Sequence, residues 1–107
     1  MYISAYLNGK LEIVSKRDTI RIKRKDRKVI LGTKNNSYVL KKTLTQLEEE
    51  LDSKRFIRIS QSEIINAYQV KNLDVSVSGT IIIEFDDGKK SYVSRRFVAK
   101  VKKFFES

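Results

Sequence analysis

Apolar and polar residues alternate with a period of two through the first forty-two residues of the chain. "LEIV" (11–14), "TIRIK" (19–23), "RKVILGT" (27–33) and "SYVLKK" (37–42) are β-branched runs separated by polar or glycine-containing breaks, so each reads as a strand. In "TIRIK" the alternation places Ile20 and Ile22 on one face and Arg21 and Lys23 on the other. "KNNS" (34–37) is a turn signal, because asparagine tolerates left-handed backbone.

The period then changes. In "TLTQLEEEL" (43–51), Leu44, Leu47 and Leu51 share one helical face, and Thr43 followed by Gln46 forms a capping box at its start. "FIRISQSEIINAYQV" (56–70) is extended, with an alternation less regular than an edge strand would show. "LDVSVSGTIIIEFDDGKKSYV" (73–93) reads as three strands, with turns at Ser78-Gly79 and at 86–89, where Gly88 suits a positive φ. Phe97, Val101, Phe104 and Phe105 recur at helical spacing and predict a closing helix over 95–105 with Ser94 as its N-cap. The pattern predicts a mainly β fold with one short internal helix and one C-terminal helix. Neither repeat nor linker interrupts it, so one domain over 1–107 is expected.

Composition narrows the chemistry. Apolar residues make up 40% of the chain, enough to fold, while Cys and His are absent. Disulfides, thiolate or imidazole metal sites and the common nucleophile–base pairs therefore lack their parts. No catalytic residue, metal site or cofactor is expected. Asp86 and Asp87 resemble metal-binding carboxylates only superficially, and a hairpin turn ending in Gly88 is the better reading. No stretch reaches the roughly 18 apolar residues of a membrane span. "MYISAYLNGK" also lacks the basic and apolar regions of a signal peptide, so a cytoplasmic location is expected.

Charge points to partners. The formal net charge is +10. Segment 15–42 carries eleven Lys and Arg against two Asp, centred on "KRKDRK" (23–28), which a loop between strands would project. "RRFVAKVKK" (95–103) adds five cations. Scattered Lys and Arg can simply solvate a surface, but cations packed this densely repel unless an anionic partner relieves them. Arg95 and Arg96 sharpen the point, because a helix start already concentrates positive charge and favours Asp or Glu. Phosphate held by the helix-start N–H groups would supply the missing negative charge. Each guanidinium could then reach a second phosphate or a guanine edge.

Several of these stretches together resemble the LytTR family. "FIRISQSEIINAYQV" is similar to its pattern of an aromatic, Arg, a short polar trio, two aliphatics and Asn. "GKKSYVSRRFVAKVKKFF" is similar to its C-terminal V-S-R-R-aromatic signature. "DTIRIKRKDRKVILGT" matches the first motif more loosely, and "TLTQLEEEL" matches the family's internal helix. The resemblance covers roughly residues 18–105 in the family's order. It implies an elongated stack of antiparallel sheets that binds the double-stranded promoter DNA of bacterial transcriptional regulators. Loops would enter successive major grooves at paired direct repeats, as paired copies or a homodimer.

The first contact loop then falls on the basic run Arg24, Lys25, Arg27 and Lys28, with Arg27 and Lys28 equally placed to read a base. The second falls on Ser60, Gln61 and Ser62, and the third on Ser94, Arg95 and Arg96. The second loop departs from the family, which often has His-Arg-Ser or His-Asn-Ser; Gln61 still offers a donor and an acceptor to adenine. No receiver segment with a phosphoacceptor Asp precedes the pattern, which suits a stand-alone regulator or a fragment whose sensory part lies elsewhere. Asn66 reads as a buried turn-fixing residue rather than a DNA contact, whereas Arg58 could pair internally or touch phosphate.

Two other classes share the charge and the strands. An RNA or single-strand binding module needs aromatics clustered on one sheet face, and Tyr2, Tyr6, Tyr38, Tyr68 and Tyr92 are scattered. A basic protein-interaction or membrane-surface domain would use the same cations on anionic lipid.

Overall fold

Asn8 and Gly9 turn the chain back on itself near its start, both at positive φ (51° and 80°), as a two-residue hairpin turn requires. This Asn-Gly pair joins β1 (Tyr2–Leu7) to β2 (Lys10–Ser15), paired from Tyr2 opposite Ser15 to Leu7 opposite Lys10. The computed structural model describes residues 2–106, so Met1 and Ser107 of the expected 1–107 span lie outside the described residues. Strand β1 is an addition to the sequence reading, although Asn-Gly signalled it.

Next come β3 (Arg21–Lys25), β4 (Lys28–Gly32), β5 (Ser37–Leu40), α1 (Leu44–Glu50), β6 (Phe56–Ser60) and β7 (Glu63–Asn66). Strands β8 (Val70–Val75), β9 (Ile81–Phe85) and β10 (Lys90–Tyr92) lead to α2 (Val98–Glu106). The first seven strands form one antiparallel sheet in the order β2-β1-β5-β4-β3-β7-β6, and the last three form a second, β10-β9-β8. The molecule is elongated, about 45 × 25 × 24 Å. The mainly β, two-helix architecture matches the sequence expectation.

Two apolar cores explain the irregular pattern of 56–70. One packs α1 (Leu44, Leu47) and Leu51 against Ile3, Val14, Ile22, Leu31 and Ile64 of the large sheet. The other packs the small sheet (Ile81, Ile83, Phe85) and Val101 of α2 against Ile57, Ile59 and Ile65. Every residue of β7 is buried, with Ile64 facing the first core and Ile65 the second. A strand covered on both faces need not alternate.

Three local expectations are corrected. Ile20 and Ile22 do not share a face, since Ile22 joins the first core and Ile20 the second. The chain leaves a 3-10 turn (Lys16–Asp18) just before, and β3 begins only at Arg21, so strand alternation does not bind Ile20. The turn after β4 uses no left-handed Asn; the Thr33 N–H donates to the Asn36 carbonyl (2.9 Å), and the Thr33 hydroxyl accepts from the Asn36 N–H (3.1 Å). "KRKDRK" is not an open loop either. β3 and β4 continue to Lys25 and Lys28, leaving Asp26 and Arg27 as the tip with Asp26 at φ 59°.

The capping box forms as expected. The Thr43 hydroxyl accepts from the Gln46 N–H at 3.1 Å, and Gln46 Oε1 accepts from the Thr43 N–H at 2.9 Å. Helix α1 has only seven residues, too few to persist without capping and packing. Thr43→Ala is expected to lower unfolding free energy by about 1 kcal/mol. A urea midpoint unchanged from wild type would show that the core alone holds α1.

Candidate nucleic-acid interface

Antiparallel pairing decides where the hairpin tips lie. β3 runs against β7, with Lys23 opposite Glu63, so the end of β3 and the start of β7 meet at one end of the sheet. The β3–β4 tip and the β6–β7 tip therefore project in the same direction. The Arg24 N–H donates to the Ser62 carbonyl at 2.8 Å and ties them together. Pairing slips between Arg58 and Ser60, and the Ile59 carbonyl within that irregularity accepts the Ser94 N–H at 3.0 Å. All three expected contact segments thus join through two backbone hydrogen bonds.

At the first tip, Arg24, Lys25, Arg27 and Lys28 are all exposed, and the facing Lys25–Lys28 pair flanks the turn. At the second, the Ser60 hydroxyl accepts the Ser62 N–H at 3.1 Å, so Ser60 serves the turn's own backbone. Ser62 is half-buried, while Gln61 projects into solvent. The third segment corrects the helix start. Arg95–Phe97 form a 3-10 turn ahead of α2, and the Ser94 hydroxyl makes no cap hydrogen bond, although Ser94 sits at the N-cap position. Its carbonyl instead accepts the Phe97 N–H at 2.9 Å. Arg95 and Arg96 are exposed, with the Arg96 guanidinium 6.0 Å from the Phe97 ring centre. Asp26 is the single acidic residue within the three segments.

The open assignments resolve. Asn66 is fully buried; its Nδ2 donates to the Thr19 carbonyl (2.7 Å) and the Lys16 carbonyl (3.2 Å), and its Oδ1 accepts the Tyr68 N–H (3.0 Å). It is a structural residue. Arg58 turns inward and pairs with Glu48 at 3.2 Å. Glu63 and Ser91 carried no role in the sequence reading, and Arg21 figured only on the polar face of its strand. Buried Glu63 accepts a hydrogen bond from the Ser91 hydroxyl, and Arg21 Nη1 donates to Ser91 Oγ (2.7 Å) and to the Lys90 carbonyl (2.9 Å). This network pins the small sheet to β3 and β7 just behind the tips. Its members lie up to 70 positions apart, so no local signal announces them.

Among the described residues no helix is long and apolar enough to cross a membrane. Helices α1 and α2 are separated by five strands, so they do not form a helix-turn-helix.

Comparison with known proteins adds three findings. A family model described as LytTr DNA-binding domain matches residues 9–106. An uncharacterized HTH-type transcriptional regulator of Staphylococcus aureus (strain MRSA252) is 34% identical over 97 residues, covering 91% of this chain and 65% of the relative. A counterpart from strain NCTC 8325 / PS 47 is 33% identical over the same coverage. The chain thus spans a little under two thirds of the length of these relatives. A solved LytTr DNA-binding domain from Bacillus cereus superposes with a TM-score of 0.93, covering 99% of this chain and 97% of that one at 20% identity.

Proposed function

The chain belongs to the LytTr family of DNA-binding domains, and we propose that it reads specific promoter sequences for a bacterial transcriptional regulator through the joined tips of its large sheet. The observation that carries this reading is that the Arg24–Ser62 and Ser94–Ile59 backbone bonds join the segments bearing the exposed Arg24, Lys25, Arg27, Lys28, Arg95 and Arg96 to the one bearing the exposed, uncharged Gln61. Phosphate contacts set position on a duplex, and polar side chains at base edges set specificity.

In this division of labour, Lys25 and Arg95 neutralise phosphates, while Gln61 and Arg96 meet base edges in successive major grooves. Either Arg27 or Lys28 reads a base in the first groove, and Arg24 adds charge there. The Arg95 and Arg96 N–H groups, which a Ser94 hydroxyl without a cap bond leaves uncapped, suit a phosphate oxygen. Paired copies on direct repeats, or a homodimer, would double the contacts. Such work belongs in the compartment holding promoter DNA, the cytoplasm of a bacterium.

The exposed tyrosines do not favour single strands. Tyr2 lies on the large sheet, Tyr92 on the small one, and Tyr68 stacks beneath the Arg55 guanidinium at 4.3 Å. Random-oligonucleotide selection, followed by comparison of the selected duplex, its single strands and anionic vesicles at equal ionic strength, tests the proposal. Vesicle binding without duplex binding would refute it.

Gln61→Ala is expected to change sequence preference and leave the fold intact. Gln61 is exposed, and the turn around it is held by Ser60 and Ser62, so truncation opens no cavity. Losing a bidentate adenine contact should cost about 1–2 kcal/mol at the selected site. An unaltered preference after selection would remove Gln61 from the interface.

A further inference from the structure

We propose that Arg58 and Glu48 are positioning residues that fix the Gln61 tip for base reading, an inference that rests on the function proposed above. The β6–β7 ladder is irregular where the tip begins, so ladder bonds alone do not set its backbone. Arg58 supplies the missing restraint. Its Nε donates to the Ser60 carbonyl at 3.1 Å and its Nη2 to the Gln61 carbonyl at 2.6 Å, so one planar guanidinium spans two consecutive peptide units of the tip. The third nitrogen, Nη1, reaches Glu48 Oε1 at 3.2 Å and the Thr45 hydroxyl at 3.4 Å, both on α1. The Arg58 side chain is only 12% exposed.

Glu48 is shared. Its second oxygen, Oε2, accepts from Lys100 Nζ of α2 at 3.4 Å. One carboxylate therefore joins the clamp on the second tip to the helix that follows the Arg95-Arg96 turn. This gives a purpose to an acid placed among cations. It holds two contact segments in one relative geometry without touching the duplex.

The sign of its effect separates this role from simple electrostatics. Deleting a carboxylate near a basic interface should strengthen attraction to any phosphate backbone. Loss of positioning should instead weaken the specific complex alone. The test uses the full chain, the duplex obtained by selection on wild type, and a random duplex of equal length. Glu48→Gln is expected to weaken the selected duplex about tenfold, within the range of one bidentate base contact, while binding to the random duplex holds or tightens. The loss should vanish in a Gln61→Ala background, because a misplaced tip matters only while Gln61 reads a base.

Equal or tighter binding of Glu48→Gln to both duplexes overturns the proposal, and so does an undiminished loss in the Gln61→Ala background. Circular dichroism melts establish that the variants fold. Should Glu48→Gln fail to fold, Arg58→Lys, which keeps the charge but cannot fork across two carbonyls, is read by the same criteria. A wild-type chain indifferent to sequence, or a Gln61→Ala variant with unchanged preference, would instead overturn the base-reading role of Gln61 and the positioning role with it. Loss of preference in Gln61→Ala with none in Glu48→Gln or Arg58→Lys would overturn positioning alone.

Discussion

Raising monovalent salt from 50 to 200 mM is expected to weaken duplex binding about a thousandfold. Six exposed cations (Arg24, Lys25, Arg27, Lys28, Arg95 and Arg96) lie on two of the joined segments. None of them takes part in an ion pair among the described residues, where Arg17, Arg21, Lys42, Arg58 and Lys100 do. Unpaired cations are free to displace counterions from phosphates. Six cations brought against the duplex, at phosphates or at base edges, release counterions as about six neutralised phosphates would; the slope is then near −5 in log affinity against log salt, and a fourfold rise in salt costs about three decades. Titration with a labelled duplex reads this directly. A slope near zero would end the electrostatic account of the surface, and one half as steep would mean that only one of the two basic segments reaches the backbone.

The unpaired state of these cations contrasts with the acids nearby. Glu48, Glu50 and Glu63 are each committed to a basic partner elsewhere in the fold. These three carboxylates hold elements together, whereas the six cations of the contact segments, with Asp26 among them, form no ion pair among the described residues. A fold optimised for stability alone would not leave Lys25 facing Lys28 across a two-residue turn. Local rules break where a partner completes them.

How far the sequence disclosed this arrangement depends on the range of each interaction. The Thr43–Gln46 box and the Gly79 and Gly88 turns are decided within a few residues, and they form as read. Asn8-Gly9 is equally local, a two-residue turn signal that specifies its own hairpin. Ile20 and Ile22 misled because alternation holds only inside a strand, and a buried Asn66 pulls the preceding segment out of register through the Thr19 and Lys16 carbonyls. The basic run, the Gln61 stretch and the Arg95-Arg96 pair could be picked out by composition and resemblance. Their meeting at one end of a sheet needed long-range pairing, and the buried Glu63 network left no trace in any short window.

Arg96→Ala is expected to cost about 2–3 kcal/mol at the selected duplex, near the upper end for a single bidentate contact because its donor is charged. The guanidinium is exposed on a 3-10 turn beside the Phe97 ring, so truncation opens no cavity. On random duplex the same change should remove at most one phosphate's share of binding, and the salt slope should shift by about one or less. Arg95→Ala, as a phosphate contact, should weaken both duplexes alike. Stability should move the other way. The turn feeds directly into α2, whose N-terminal end carries the positive pole of its dipole, so removing a cation there should leave the melting temperature unchanged or slightly higher. A residue kept for the fold would show the reverse, losing stability and keeping specific affinity. Parallel melts and titrations of Arg96→Ala therefore decide whether the two arginines serve the helix or the DNA: unfolding, or unchanged affinity for the selected site, would assign them to the helix.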